Sequence, residues 1–328
     1  MQSSPAKSSG QSKILLVIFS TIIFLSLMFL FPSISSNAQV IDHAPKFSGK
    51  VKVPKKDGET KVEAYYSVEK LRDNVYHIND YSKSPGGKKG INPASMYLVK
   101  GSDKALLIDG GNKNIKARKE LAAIVNKLRG TTPLEIAVTH NHEDHTGQLA
   151  LFKANTIYYP KKDKIKGKKY TNNYSWVKEG DVIDLGNIKF NVIETPAHTP
   201  GSVTYVDQQN NLIASGDSIG STFVWLFDKK SLNTYQKTLN HLYAQVKDMK
   251  DPLFMPGHKW QTDPANKKRG PKYTPDNKPM IMQYLKDMIT LTKQIKDGTA
   301  KSHKYYVDGK KRGTAYVYHH AMICMIDD

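Results

Sequence analysis

The sequence predicts a mixed α/β fold. Three observations carry that reading. Short apolar runs of strand length recur between turns, stretches of helical periodicity fall between some of them, and histidine- and aspartate-rich clusters follow directly on apolar runs. Polar residues at the carboxyl ends of strands are how α/β folds expose their chemistry.

In chain order, Lys7 and Lys13 precede a run from Ile14 to Phe31 that is apolar except for Ser20, Thr21 and Ser26 and breaks at Pro32. At about 18 residues it is long for the apolar core of a signal peptide and just long enough to span a bilayer. Ser36-Asn37-Ala38 supplies the small-x-small pattern of a cleavage site before Gln39. Residues 1–38 therefore read as a signal peptide or as an N-terminal anchor. Both readings place the protein outside the cytoplasm, secreted or anchored at the outer face of the cytoplasmic membrane, because the positive flank stays inside. Residues 39–62 read as a lead-in or linker and 63–328 as the folded domain.

Within that domain, Asn74 to Ile78, Met96 to Val99 and Ala105 to Ile108 predict strands, with Lys83 to Gly87 as a loop. Asn114 to Leu128 has helical periodicity and is closed by Gly130; Leu134 to Val138 predicts a buried strand running into His140. Thr156 to Tyr159, Val182 to Leu185, Ile188 to Ile193, Ser202 to Val206, Leu212 to Ala214 and Leu253 to Met255 predict further strands. Ser231 to Val246 and Pro279 to Ile295 predict helices, and Ala315 to Ile326 a terminal strand.

Composition narrows the function. The single cysteine, Cys324, excludes an intrachain disulfide framework, a thiolate zinc knuckle and a four-thiolate iron–sulfur cluster. A metal here must be bound by imidazole and carboxylate. The net charge of +19 favours anionic partners without selecting one. The lysine patch from Lys161 to Lys169 lacks the aromatic pattern of a nucleic-acid surface, and no nucleic-acid partner is expected.

The informative segment is Thr139-His140-Asn141-His142-Glu143-Asp144-His145-Thr146-Gly147. Alternation puts His140 and His142 on one side of an extended stretch, able to converge on one ion. Asp144 and His145 follow the bend and can face a second. The alternative, a histidine-rich surface loop, fits poorly with its place after an apolar strand. Further candidate ligands, His198, Asp217 and His258, follow the ends of later strands. Neutral imidazoles with carboxylates to offset charge suit two cations sharing a hydroxide near neutral pH.

These pieces resemble the metallo-β-lactamase superfamily. The resemblance rests on Leu106 to Gly111, on the HxHxDH set His140/His142/Asp144/His145, on Ala197-His198-Thr199-Pro200-Gly201, on Gly216-Asp217 and on Pro256-Gly257-His258. It implies an αββα sandwich and a dinuclear centre. One zinc would be held by His140, His142 and His198, a second by Asp144, His145 and His258, and Asp217 would bridge them. The complete set is similar to the glyoxalase II and lactonase branches, and Asp217 argues against an antibiotic-cleaving lactamase. Two zinc ions are expected, with iron or manganese also compatible because no thiolate biases the choice. Asp144 is the candidate catalytic residue, orienting the hydroxide and receiving its proton. Asp109 reads either as the carboxylate behind a ligand imidazole or as the closing residue of a Gly-Gly turn.

The expected reaction is attack of metal-bound hydroxide on the carbonyl of an ester, lactone or thioester. A phosphodiesterase, a β-lactam hydrolase and a non-enzymatic polymer-binding protein with a vestigial site stay open as alternatives. Candidate pocket residues are Phe223 and Trp225 in the apolar strip Thr222 to Phe227, and Trp260, Lys267 and Arg269 beyond the last ligand. The strip can instead pack a helix into the core. Together they suit a small-molecule substrate with an apolar portion and an anionic group.

Overall fold

Alternating apolar side chains, buried on both faces, build a first sheet from β1 (Thr60–Val62), β2 (Tyr66–Arg72), β3 (Val75–Asp80), β4 (Ala94–Lys100), β5 (Ala105–Ile108), β6 (Leu134–Ala137), β7 (Thr156–Pro160) and β8 (Asn173–Val177). The computed structural model describes residues 49–82, 93–163, 173–220, 223–258, 281–307, 310–319 and 321–326. The chain divides into Met1–Asp42, which lies outside the described residues together with the leader, and His43–Asp328, to which the following applies. The sheet starts at Thr60, inside the stretch read as lead-in.

Spatial order in this sheet follows sequence order, antiparallel through β5 and parallel from β5 to β8. Helix α1 (Arg118–Arg129) makes the crossover from β5 to β6. Its start lies four residues later than periodicity predicts, because Asn114 Oδ1 accepts the Lys116 N–H at 2.9 Å and holds a turn there. Gly130 closes the helix at φ 62°.

A second sheet has the order β14-β12-β11-β10-β9, from β9 (Val182–Asp184), β10 (Lys189–Glu194), β11 (Val203–Asp207), β12 (Leu212–Gly216) and β14 (Leu253–Pro256). Tyr97, Val99, Leu106 and Ile108 of the first sheet share one cluster with Phe190, Val192, Tyr205 and Ala214 of the second, so the two sheets face each other. The alternate residues Met96, Leu98 and Leu107 pack on Leu121, Ile124 and Val125 of α1. On the far side, Ile193, Val206 and Ile213 pack on α3 (Ser231–Val246) and α4 (Ile281–Lys296). The layers are therefore helix, sheet, sheet, helix. Truncating one of these fully buried leucines removes about 2–5 kcal/mol.

A third sheet, β13-β17-β16-β15, comprises β13 (Phe223–Leu226), β15 (Lys301–Val307), β16 (Lys310–Tyr318) and β17 (Ala321–Met325). The terminal apolar stretch read as one strand is thus a hairpin, turned at His319 with φ 45°. Strand β13 pairs in parallel with β17, and its residues alternate: Val224 and Leu226 pack toward α3 and α4, Phe223 toward Tyr305 and Met322. The apolar strip after Asp217 therefore does pack helices into the core, but with only one of its faces.

Candidate metal centre

The parallel strands β5 and β6 place Asp109 beside Thr139, and a chain of contacts starts there. Asp109 accepts the Thr139 N–H at 2.8 Å and, at 2.9 Å, the Thr139 hydroxyl, whose oxygen lies 3.0 Å from His140 Nδ1. With its one proton given to Asp109, the hydroxyl accepts from His140 Nδ1–H, and Nε2 of the neutral ring is left as a lone-pair donor. Asp109 Oδ2 also meets His145 Nδ1 at 2.8 Å. Of its two sequence readings, the carboxylate behind an imidazole describes these contacts.

Backbone carbonyls do the same for two more rings. His198 Nδ1–H donates to Trp225 O at 2.9 Å, and His258 Nδ1–H to Pro93 O at 3.0 Å. His142 precedes the four-residue helix α2 (Glu143–Thr146) in extended conformation and turns Nδ1 inward instead. Ala197, just before His198, takes φ 142°, a strained value for a residue with a side chain.

The inward atoms converge. His142 Nδ1 lies 3.1 Å from His140 Nε2 and 3.0 Å from His198 Nε2. His145 Nε2 and His258 Nε2 are 3.4 Å apart, with Asp144 Oδ2 at 3.9 and 3.6 Å from them. Asp217 reaches both groups: Oδ1 is 3.5 Å from His145, and Oδ2 is 3.2 Å from His258 and 3.5 Å from His198. Three overlapping donor sets result, His140/His142/His198, His140/His145/Asp217 and Asp144/His145/His258, with the ligand atoms of each within 4.8 Å of one another.

These residues fit cations. Nitrogen lone pairs facing each other near 3 Å have no proton to share once the outer nitrogens hold theirs, and buried Asp217 Oδ1 accepts no hydrogen bond among the described residues. Proton affinities divide along the same line. Burial and the neighbouring imidazoles hold His140 well below its usual range and His142 down to about 3. Burial opposes charge on His145 as well, but Asp217, Asp144 and Asp109 outweigh it and push that ring up to about 10. His258 is raised, against burial, by Asp217 and Asp144. Asp217 is held well below the carboxylate range, against burial, by His258, His145 and His198. A field that favours a proton favours a metal cation in its place.

Two supports lie behind the donors. Gly257 leaves no room for a side chain: a Cβ would overlap Asp217 Oδ1 and sit 2.9 Å from His145 Cε1. Buried Asp163, which the sequence reading passed over, accepts the Asn141 N–H at 2.8 Å, the Thr199 hydroxyl at 2.9 Å and the Gly201 N–H at 2.7 Å. It ties the His140–His142 loop to the His198 loop. The available signal was one acid inside a lysine run. Asp163→Ala unpins both loops and is expected to weaken metal affinity by about tenfold or more and to lower Tm; competition with a chromogenic chelator measures the first. Wild-type affinity would show that the two loops hold themselves.

The structure separates the pocket candidates. Phe223 is 1% exposed, wedged against Trp225 and Tyr305. Trp225 is half-buried, and Phe227, two residues on, is 44% exposed with its ring 5.7 Å from His142 and 5.3 Å from His198. Trp260, Lys267 and Arg269 lie outside the described residues.

Residues 90–274 match the sequence profile of the metallo-beta-lactamase superfamily, more than half of the chain. A solved metallo-beta-lactamase from Staphylococcus aureus subsp. aureus COL shares 24% identity and a TM-score of 0.40, covering 50% of this chain and 52% of that one. The acyl-coenzyme A thioesterase MBLAC2 of Bos taurus is 23% identical over 233 residues, 59% of this chain and 81% of that protein. A hydroxyacylglutathione hydrolase of Bdellovibrio bacteriovorus is 32% identical over 127 residues, 36% of this chain and 45% of its own length. On the family match, the two hydrolase relatives and the histidine–aspartate cluster, this chain is a metal-dependent hydrolase and belongs to the metallo-beta-lactamase superfamily.

Proposed function

We propose that the protein hydrolyses a carboxylic thioester, ester or lactone at a dinuclear centre, with zinc the first choice of metal and iron or manganese compatible. His140, His142 and His198 would hold one ion, Asp144, His145 and His258 the other, and Asp217 both. The observation that carries this reading is the contact of one carboxylate, Asp217, with imidazoles of both groups. When bound, two such cations supply a hydroxide near neutral pH and polarise the carbonyl it attacks.

The chain's own residues do the rest. Asp144 keeps 22% of its side chain exposed, more than His145, His258 or Asp217, and so stands at the rim of the donor set. That position lets it take the proton released as water attacks the acyl carbon and return it to the departing sulfur or oxygen. Both relatives named above are, by name, hydrolases of an acyl group on a carrier, which supports the thioester. The lysine-flanked apolar leader supports an extracytoplasmic location, secreted or membrane-anchored.

Elemental mass spectrometry on protein expressed with ample metal is expected to find about two transition-metal ions per chain. A hydrolysis panel on that protein then separates the chemistries: acyl thioesters, acyl esters, lactones, a bis-aryl phosphodiester and a chromogenic cephalosporin. Turnover of the thioester is the expected result. Efficient phosphodiester cleavage with no carbonyl cleavage would replace this reading, and so would the cephalosporin as the preferred substrate.

A further inference from the structure

We propose that Phe227 and Trp225 form a preformed subsite for an alkyl acyl arm, which makes them specificity-determining residues; the inference rests on the carbonyl-hydrolase reading above. Among the described residues Phe227 is one of six exposed large apolar side chains, and its ring meets two candidate ligand rings, edge-on to His142 at 85°. An apolar surface that borders a few convergent polar groups is the usual make-up of a small-molecule site. Trp225 continues the surface, parallel to Phe227 within 9° at 6.4 Å between centroids.

The surface is backed and held. Tyr305 meets the Trp225 indole at 5.3 Å and 79°, and Phe223 meets it at 5.4 Å and 86°. Behind them lie Ala315, Met322 and Cys324, and the strand itself is fixed by the pairing of Trp225 with Cys324. An acyl chain docking here would find its partners already ordered, which limits the entropy lost on binding. None of the four aromatic residues in this set is charged, so it offers little to a phosphate or a polar carrier. The acyl side of the substrate is the portion that fits, and it would start at the imidazoles where the carbonyl must lie.

The test uses the full-length, metal-loaded protein with acetyl and octanoyl thioesters on one carrier. The readout is the ratio of kcat/KM, octanoyl over acetyl. The wild type is expected to favour octanoyl at least tenfold. Phe227→Ala is expected to cut that ratio at least fivefold, through KM for octanoyl and at wild-type metal content, while Phe227→Trp keeps it. Trp176→Ala, an exposed tryptophan on β8, serves as the control and should leave the ratio where it was. A wild-type ratio near one, an unmoved ratio in Phe227→Ala, or loss of metal in that variant overturns the subsite and leaves the hydrolase reading standing. Failure of the wild type to cleave either thioester overturns the thioester reading itself, and the acyl subsite with it.

Discussion

Asp144→Asn is expected to lower kcat by about 10²- to 10⁴-fold, the range for losing a positioned proton acceptor. The substitution preserves size and keeps one oxygen near His145 and His258, which stand 3.9 and 3.6 Å from the native carboxylate. What it removes is the ability to hold a proton at the exposed rim. Occupancy of the His140/His142/His198 set should change little, because none of those three needs Asp144 for its anchor: Thr139 holds one ring and the Trp225 carbonyl another. Elemental analysis beside steady-state kinetics reads both quantities. Asp144→Asn turning over substrate like the wild type would refute the assignment.

Asp217→Ala attacks the centre differently. Its carboxylate contacts His145, His198 and His258 at 3.2–3.5 Å. Two cations left without that shared counter-charge repel each other in a buried, weakly screened site. Metal content is expected to fall from about two ions per chain to one or fewer, with activity lower by about 10³-fold. In the metal-free protein the change takes away a carboxylate that helps raise the proton affinity of His145 and His258 against their burial, so stability is expected to fall as well. Two ions per chain in Asp217→Ala would remove Asp217 as the shared ligand.

The donor set was legible because its residues sit just past apolar runs whose strand character is unmistakable: His140 after Leu134 to Val138, Asp217 after Leu212 to Ala214, His258 after Leu253 to Met255. The facing sheets left their mark as short continuous apolar runs, because their central strands are buried on both faces. Asp163 was not legible, because all three of its bonds reach 22 to 38 residues along the chain and nothing in the lysine run around it points there. Phe223 and Phe227 also could not be told apart by composition. Their difference arises from the end of β13: Phe223 is covered by Tyr305 of β15, whereas Phe227 has passed the last residue paired with β17. The β16–β17 hairpin was hidden because its turn at His319 carries none of the Gly, Pro, Asn or Asp residues that usually mark one.

Trp225 performs two tasks with two separable parts. Its carbonyl oxygen aims His198, and its indole extends the aromatic surface beyond Phe227. A carbonyl is common to every amino acid, so the aim of the imidazole survives replacement of the side chain, provided the strand pairing stays. The position can therefore drift through evolution, or be diversified in the laboratory, as a dial for substrate preference that leaves the reactive centre undisturbed. Libraries built at 225 should yield enzymes that differ in which acyl group they choose and agree in how they cleave it.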